Sequence, residues 1–348
     1  MQPQRRRPCS AKRSEPVPEA RYFSIGADGR LNCTLCPHRC RLADGSHGLC
    51  GVRRNDGGRL QLPYYGAVSA LATDPVEKKP LYHFHPGEQI LSVGFLGCSL
   101  RCPFCQNYRI SHSTTAQTRY IGPGELVETA RSSESFAIAY TYNEPTIHFE
   151  YVLEAAEAAH AAGIKNVLVT AGNLNEDPAR ELLRVMDGVN IDLKSLNAEY
   201  YRRTLRADLD AVLNCIRIAA EVTHLEVTTL LVPDVVSPEE QVDEIGRMAT
   251  LLAALNPAIP YHISAYHPTP SYRTAPTSAA LVHRCAETAR TQLQYVYTGN
   301  LGEDSCTACP ECGSVLVERR MPKVRIGSLT PDGRCGGCGR AAEFVLPR

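Results

Sequence analysis

The sequence predicts an α/β fold in which a partial barrel of six βα units carries a cysteine-rich module on either side. Two observations lead to this prediction. Between about residue 90 and residue 298, short apolar runs alternate with longer amphipathic segments, the pattern of parallel strands joined by helical crossovers. Most of the fifteen cysteines fall in three groups: ahead of this region, directly after its first strand, and behind it.

Six candidate strands follow one another along the region, at 90–96, 136–141, 166–170, 188–193, 223–231 and 259–265. Candidate helices lie between and after them, at 124–133, 146–162, 178–186, 208–221, 238–254 and 277–292. Because six units are fewer than the eight of a closed barrel, a partial barrel is favoured. A doubly wound open sheet is the rival. In both architectures the loops that follow the strands form the working face.

The chain divides into four predicted parts: a disordered tail at 1–20, an N-terminal Cys-rich metal-binding module at 21–89, the barrel at 90–298, and a zinc-ribbon-like module at 299–348. The basic tail is not followed by an apolar run, which argues against a signal peptide or a membrane anchor and favours a cytoplasmic location. The balance of 37 acidic and 37 basic residues argues against a dedicated nucleic-acid binder. In a reducing compartment, closely spaced thiols hold metal more often than they form disulfides.

The central thiol group consists of Cys98, Cys102 and Cys105, in the run GCSLRCPFCQN directly after the first strand. Three thiolates at this spacing can each bind one corner of a cubane iron–sulfur cluster, which leaves the fourth iron without a protein ligand. A vacant metal position is a property of catalytic sites rather than of structural ones. The methionine part of S-adenosylmethionine (SAM) could chelate that iron, with Phe104 against the adenine.

The loop resembles the signature of the radical SAM superfamily. The segments DPVEKKPLYHFHPG at 74–87, LSVGFLGCSLRCPFCQNYRIS at 91–111 and YNEPT at 142–146, together with the flanking cysteines, resemble the radical SAM enzyme of the AmmeMemoRadiSam system, a group similar to pyruvate formate-lyase activating enzymes. The resemblance covers roughly residues 30–348. It implies a [4Fe-4S] cluster, SAM, and a barrel of the radical SAM type, and it leaves the substrate open.

The resemblance also implies residues that bind SAM. Where superfamily members carry Gly-Gly-Glu-Pro, this chain has Tyr142-Asn143-Glu144-Pro145, so Asn143 and Glu144 would bind the amino group of SAM, although the two glycines are absent. After the fourth strand, Asp192 and Lys194 correspond to an Asp-x-Lys segment near the SAM ribose or carboxylate.

The N-terminal thiol group is Cys33, Cys36, Cys40 and Cys50. Four thiolates can enclose either a zinc ion or an iron–sulfur cluster. The two alternatives stay open, with an auxiliary metal centre favoured, because a second cluster could relay the electron that SAM cleavage consumes.

The C-terminal thiol group is Cys309, Cys312, Cys335 and Cys338, arranged as two C-x2-C-G knuckles. This spacing predicts a zinc ribbon whose strands are SVLVERR and KVRIGSL. We expect a structural or docking role for it.

Two further sets of residues are candidates for the substrate site. Lys78, Lys79, His83 and His85 precede the first strand and could hang over the barrel mouth. His262 and His267, around the end of the sixth strand, could move a proton or shape the pocket. For each set, a packing role is the alternative.

The sequence therefore predicts an enzyme that cleaves SAM and uses the 5′-deoxyadenosyl radical to abstract hydrogen from an unidentified substrate. A flavodoxin- or ferredoxin-like reductant is expected. The resemblance adds Memo-like and AMMECR1-domain proteins as partners. One alternative is an activating enzyme for a glycyl-radical enzyme; another, from a different class, is a non-catalytic metal-binding scaffold with a zinc ribbon.

Overall fold

The structure is a computed structural model that describes residues 19–233, 235–320 and 322–347. The predicted tail at 1–20 lies almost wholly outside these residues. Helices lie beside a central, mostly parallel sheet, and small antiparallel sheets precede and follow it in the chain. The fold is therefore α/β.

The central sheet has eight strands in the order β15-β14-β13-β12-β11-β10-β8-β7. Their bounds are β7 Ala70–Pro75, β8 Gln89–Gly94, β10 Ala137–Tyr140, β11 Lys165–Thr170, β12 Gly188–Asp192, β13 His224–Leu231, β14 Tyr261–Ala265 and β15 Val296–Gly299. From β8 to β15 all neighbours are parallel, whereas β7 pairs antiparallel with β8 at the edge. The order follows the chain without the reversal that a doubly wound sheet requires.

The remaining strands belong to small sheets. Before the central sheet are β1 Phe23–Ile25, β2 Leu31–Cys33, β3 Arg41–Leu42, β4 Arg54–Asp56, β5 Arg59–Gln61 and β6 Ala67–Val68, the last of which pairs with β9 Arg119–Tyr120. After it, β16 Ser305–Ala308, β17 Val315–Arg320 and β18 Lys323–Ile326 form an antiparallel sheet. The last two are the strands predicted for the C-terminal module.

The helices connect the strands of the central sheet. They are α1 Tyr108–Ser111, α2 Pro123–Ser132, α3 Phe149–Ala161, α4 Glu176–Leu183, α5 Ala198–Tyr200, α6 Leu209–Val222, α7 Pro238–Leu255 and α8 Ala279–Arg290. Local sequence explains several starts: at α7, Ser237 and Glu240 form a capping box with Pro238 in the first turn. None of the helices in the described part of the chain has both the length and the apolar character needed to cross a bilayer.

All six predicted strands are present. They could be predicted because parallel strands are buried on both faces, so that β10 to β14 are short apolar runs in the sequence. Each of these six strands is followed by a helix, as predicted, and β15 adds a seventh parallel strand that was not predicted and that leads directly into β16. The four residues of β15 are too few to stand out in the sequence.

The segment between β7 and β8 crosses the amino edge of the sheet, the edge where the parallel strands begin. Pro80 accepts a hydrogen bond from Asn190 of β12 at 2.7 Å, and Phe84 packs on Gly188, the first residue of β12. The expectation that His83 and His85 hang over the opposite edge is wrong, because His83 bonds Glu226 of β13 and His85 bonds Val345 of the C-terminal module. The place expected for Lys78 and Lys79 over the barrel mouth stays a prediction. Two lysines of the segment pair with Asp74, each at 3.0 Å.

Glu226 of β13 organises this amino edge. Its carboxylate is fully buried and accepts hydrogen bonds from His262 at 2.6 Å and His224 at 3.0 Å. The backbone N–H groups of Tyr82 and His83 donate to the same carboxylate at 2.9 and 2.7 Å. Burial acts to raise the pKa of Glu226, but these donors outweigh it and the pKa is lowered. His262 thus has a buried structural role and lies at the amino edge, so its expected place at the substrate edge is wrong.

His83 joins this edge to the C-terminal module. Its Nδ1 lies 3.2 Å from the carbonyl oxygen of Glu343, which can only accept, so Nδ1 carries the proton and Nε2 accepts from the hydroxyl of Tyr297 at 2.6 Å. Thr307 bonds that hydroxyl at 2.6 Å and receives a bond from Arg319 at 2.9 Å. Because Nε2 accepts a hydrogen bond, it carries no proton, and the imidazole is neutral. The ring of His83 also stacks on the ring of Phe344, with 4.1 Å between centroids.

Acid should weaken the contact between His83 and the C-terminal module. Burial lowers the pKa of His83 from 6.5 to about 3, so between these values the unfolded chain takes up a proton that the folded chain refuses. The free energy of unfolding should fall by up to about 1.4 kcal/mol per pH unit below pH 6.5 through this residue alone. Denaturant unfolding of His83→Gln between pH 6.5 and 5 should show a shallower slope than the unchanged chain. His283→Gln, at an exposed histidine, is the control, and equal slopes for all three would contradict the assignment.

Candidate functional site

The central thiol group lies at the carboxyl edge of the sheet, on the loop 95–105 that follows β8 (the central loop). Cys102 is buried and Cys98 and Cys105 are half-buried. The three thiols are close enough to interact electrostatically with one another. Burial raises the pKa of Cys98 and raises that of Cys102 to about 11. Cys98 and Cys102 therefore keep their protons unless a metal displaces them.

Asn143 holds the start of the central loop in place. Its side-chain oxygen accepts the N–H of Phe95 at 3.0 Å. Its side-chain nitrogen donates to the carbonyls of Leu96 and Gly97, at 3.3 and 2.8 Å. Both ends of the amide thus bind the backbone just ahead of Cys98, which makes Asn143 a positioning residue for the thiols.

Gly97 allows a close approach that no other residue would permit. Its φ is +79°, and a Cβ built on it would lie 2.4 Å from the carbonyl oxygen of Cys50. A side chain there would be strained by the backbone conformation and would also clash with the N-terminal module. The central loop and the N-terminal module are therefore packed backbone against backbone.

Glu144 lies beside the central thiol group and is almost fully buried. Its carboxylate accepts hydrogen bonds from the hydroxyls of Thr146 and Thr170, both at 2.7 Å, and from the N–H of Ala171 at 2.9 Å. Its negative charge is close enough to raise the pKa of Cys98. The carboxylate is thus fixed at the carboxyl edge by groups from β11 and from its own turn.

Tyr142 has a backbone conformation that favours glycine. Its φ of +72° lies in the left-handed region, where a tyrosine is strained. Its hydroxyl donates to Asp74 at 3.1 Å, the Lys79 ammonium lies 4.9 Å from the ring centroid, and Asn107 donates to its carbonyl at 2.6 Å. These contacts hold the conformation that leads into Asn143 and Glu144.

Asp192 and Lys194 form an ion pair at the same edge, with 2.8 Å between Nζ and Oδ2. Burial acts to lower the pKa of Lys194, but Asp192 and the Cys102 thiol together outweigh it and the pKa is raised. Lys194 therefore stays positively charged next to Cys102. A cation at this position stabilises negative charge on the sulfur.

Aromatic side chains cover the central thiol group on the other side. Phe104 is buried and meets the ring of Tyr272 edge-on, with 6.2 Å between centroids. Tyr200 lies within electrostatic reach of Cys102, Lys194 and Tyr272. Tyr200 and Tyr272 were not expected from the sequence; their positions after β12 and β14, at the end where site loops gather, were the available signal.

The structure brings together the five side chains predicted to bind SAM, whereas the histidines predicted for the substrate site lie elsewhere. Phe104, Asn143, Glu144, Asp192 and Lys194 all lie around the central thiol group. His262 lies at the amino edge, as described above. His267 is exposed beyond the end of β14, and its Nε2 lies 2.8 Å from the carbonyl oxygen of Asn300.

The C-terminal thiol group converges at the opposite end of the sheet. Within the described residues, its four sulfurs lie within 4.8 Å of one another. The pairs Cys309–Cys338 and Cys312–Cys335 are 3.6 and 3.5 Å apart. Tyr295, directly before β15, interacts electrostatically with this group. The four sulfurs are close enough to hold one metal ion at the amino edge.

Comparison with known proteins agrees with this geometry. Residues 93–249 match the model of the Radical SAM superfamily. Over 337 residues the chain is 34% identical to Uncharacterized protein MJ0808 of Methanocaldococcus jannaschii, covering 94% of this chain and 99% of that protein.

Solved structures give weaker likenesses. Streptococcus suis SuiB bound to S-adenosylmethionine aligns with a TM-score of 0.49 and 14% identity, over 65% of this chain and 52% of SuiB, so the chain spans about half of that protein. A domain of pyruvate-formate lyase-activating enzyme from Bacteroides vulgatus aligns with a TM-score of 0.40 and 21% identity, over 47% of this chain and 99% of the domain.

Residues 93–249 carry a Radical SAM superfamily domain, and the chain belongs to the same family as MJ0808 along nearly its whole length. Such a domain implies a [4Fe-4S] cluster and SAM. The donor set fits such a cluster: three soft sulfur ligands on one loop, without a fourth thiol on that loop, beside the buried cation Lys194.

Changing Gly97 to Ala should prevent assembly of a cluster on the central loop, because the new methyl group would meet the Cys50 carbonyl. Iron bound after anaerobic reconstitution should fall by the amount held by the central thiol group. Gly58→Ala is the matched control: its φ is also +79°, but no atom lies within 4 Å of the added carbon. Equal iron content in the two variants would rule out the packing argument.

Changing Cys335 to Ser should release the metal from the C-terminal thiol group. The module should then lose the stability that metal binding contributes and become sensitive to protease. Limited proteolysis with mass spectrometry measures this, with Cys306→Ser, at an exposed cysteine outside the group, as control. Full resistance of the Cys335 variant would count against a structural metal.

Proposed function

We propose that the chain is an enzyme that reductively cleaves SAM on a [4Fe-4S] cluster held by Cys98, Cys102 and Cys105, and uses the 5′-deoxyadenosyl radical to take hydrogen from a substrate. One observation carries the proposal. The three thiols interact with one another at the carboxyl edge, where Glu144 lies near Cys98 and the Asp192–Lys194 pair lies near Cys102. Soft metal ligands and fixed charges of both signs thus surround one space.

When bound, the cluster and SAM supply one-electron cleavage of the bond between the sulfonium sulfur and C5′. The protein's own residues position the three thiols and orient SAM. Asn143 fixes the loop that carries the thiols. Glu144 presents a carboxylate of fixed orientation, suited to an amino group. Lys194 is a permanent cation, suited to a carboxylate, and Asp192 can accept from a ribose hydroxyl.

Other parts of the protein shield the site from solvent in this proposal. A carbon radical reacts with whatever hydrogen donor it meets, so the site must exclude solvent. We assign this role to Phe104, Tyr200 and Tyr272, which cover the central loop, and to the sheet, whose sequential parallel strands we take to curve into a partial barrel. Phe104 is suited to contact the adenine of SAM.

The other metal site has a structural role in this proposal. The spacing of the C-terminal thiol group suits a single zinc ion in a ribbon, and the module packs on the amino edge, away from the central loop. The substrate would bind at the carboxyl edge. Because the additional cysteines flank the barrel and do not form an insert after the SAM loop, we favour a macromolecule or metabolite connected with Memo-like and AMMECR1-domain partners over a glycyl-radical enzyme.

Changing Cys102 to Ala should abolish SAM cleavage, because two thiolates do not hold the cluster in an active form. The measurement is 5′-deoxyadenosine formed with dithionite and SAM by protein reconstituted without oxygen. The metal of the C-terminal thiol group should stay bound, which shows that the variant is folded. Cleavage at the unchanged rate would refute the ligand assignment, and a colourless, zinc-only parent protein would favour the scaffold instead.

A further inference from the structure

The N-terminal thiol group, which the proposed reaction does not use, is built like a metal site. The thiol of Cys36 interacts electrostatically with each of the other three. The N–H of Leu49 donates to the sulfur of Cys40 at 3.4 Å. Backbone N–H groups of Leu35, His38, and Val52 with Arg53 act to lower the pKa of Cys33, Cys36 and Cys50, respectively, against the effect of burial. Such N–H donors stabilise thiolates and tune the potential of iron–sulfur clusters.

A buried cation accompanies this group. Arg53 is 1% exposed and forms a bidentate ion pair with Glu150, with both N–O distances 2.9 Å. It also interacts electrostatically with Cys33 and Cys50. The guanidinium, which is also paired with Glu150, thus places positive charge near two of the four sulfurs, where it stabilises the negative charge of a thiolate-ligated centre.

Sulfur spacing distinguishes this group from the zinc-like one. Around one zinc ion, sulfurs lie about 3.8 Å apart, close to the 3.5 and 3.6 Å pairs of the C-terminal thiol group. Among the residues that the structure describes, that group is the one with three or more candidate ligand atoms within 4.8 Å of one another. Among the described residues, no three sulfurs of the N-terminal or the central thiol group lie within 4.8 Å of one another, and a cubane, in which each thiolate binds a different iron, does not need them to.

The N-terminal thiol group is also in direct contact with the central loop. The carbonyl of Cys50 abuts Gly97, the residue before Cys98. His38 bonds the carbonyl of Ser99 through Nε2 at 2.7 Å. The guanidinium of Arg101 bonds the carbonyls of Cys98 and Leu100 on the central loop and that of Leu49 in the N-terminal module. The two thiol groups are therefore joined through adjoining backbone.

The geometry points to a second [4Fe-4S] cluster, held by Cys33, Cys36, Cys40 and Cys50, that passes electrons to the central cluster. This inference rests on the proposed function. A low-potential flavodoxin- or ferredoxin-like donor gives one electron to the N-terminal cluster. The N-terminal cluster then passes that electron to the central cluster, where SAM cleavage consumes it. No bond or proton changes in the relay. The half-buried Cys40 and Cys50 and the exposed Leu49 give the donor access.

Metal content tests the second cluster. Full-length protein reconstituted without oxygen should bind about eight iron atoms per chain, plus one zinc. The double variant Cys36→Ser/Cys50→Ser should keep about four, and its reduced paramagnetic resonance signal should still change when SAM is added. Cys98→Ser/Cys102→Ser should also keep about four, without a response to SAM. Cys306→Ser is the control.

Either of two results would overturn the cluster assignment: about four iron and two zinc in the unchanged chain, or no iron left in the central double variant. If the unchanged chain bound about eight iron but showed no response to SAM, the proposed function would fail while the N-terminal cluster stood. The two claims are therefore separable.

Reduction kinetics test the relay. Reduced flavodoxin mixed with the unchanged chain should reduce the SAM-responsive signal in a fast phase that is absent from the Cys36→Ser/Cys50→Ser variant. Dithionite, a small reductant, should still reduce the central cluster of that variant, which shows that the cluster is intact. An unchanged fast phase with flavodoxin would overturn the relay.

Discussion

The close contact between Gly97 and Cys50 is the constraint on which the site depends. A glycine with φ of +79° lets the end of the first parallel strand lie against the N-terminal module without an intervening side chain. Asn143 then fixes the same stretch from the neighbouring strand. The central loop is thus positioned from two sides before any metal binds, which limits the entropy lost when its thiols converge on a cluster.

The two edges of the central sheet have different tasks. At the carboxyl edge, charges and thiols are placed around a space that a cofactor can fill. At the amino edge, Glu226 has four donors and His83 is neutral within a directed chain of hydrogen bonds, so each polar group there serves to hold the C-terminal module. The buried histidines lie where the strands begin and have a structural role. The central cysteines lie where the strands end and line the space for the cofactor.

Much of this organisation could be predicted from the sequence. Buried parallel strands are continuous apolar runs, and helix starts such as Ser237-Pro238 carry their caps, so local pattern identified six strands and the helices between them. Cysteine spacing identified the three thiol groups.

Other features could not be predicted from the sequence. The short strand β15 was missed because four residues carry little pattern. The segment with His83 was placed at the wrong edge, since its polar residues resemble site residues until their burial beneath the sheet is known. Tyr200 and Tyr272 depend on long-range packing that spacing does not encode.

The central claim is that SAM binds directly to an iron of the cluster on Cys98, Cys102 and Cys105. The most direct measurement is electron–nuclear double resonance on the reduced full-length protein with SAM labelled by nitrogen-15 in its amino group. The account predicts a hyperfine coupling between that nitrogen and the cluster. A reduced cluster that shows no such coupling with SAM present would contradict it.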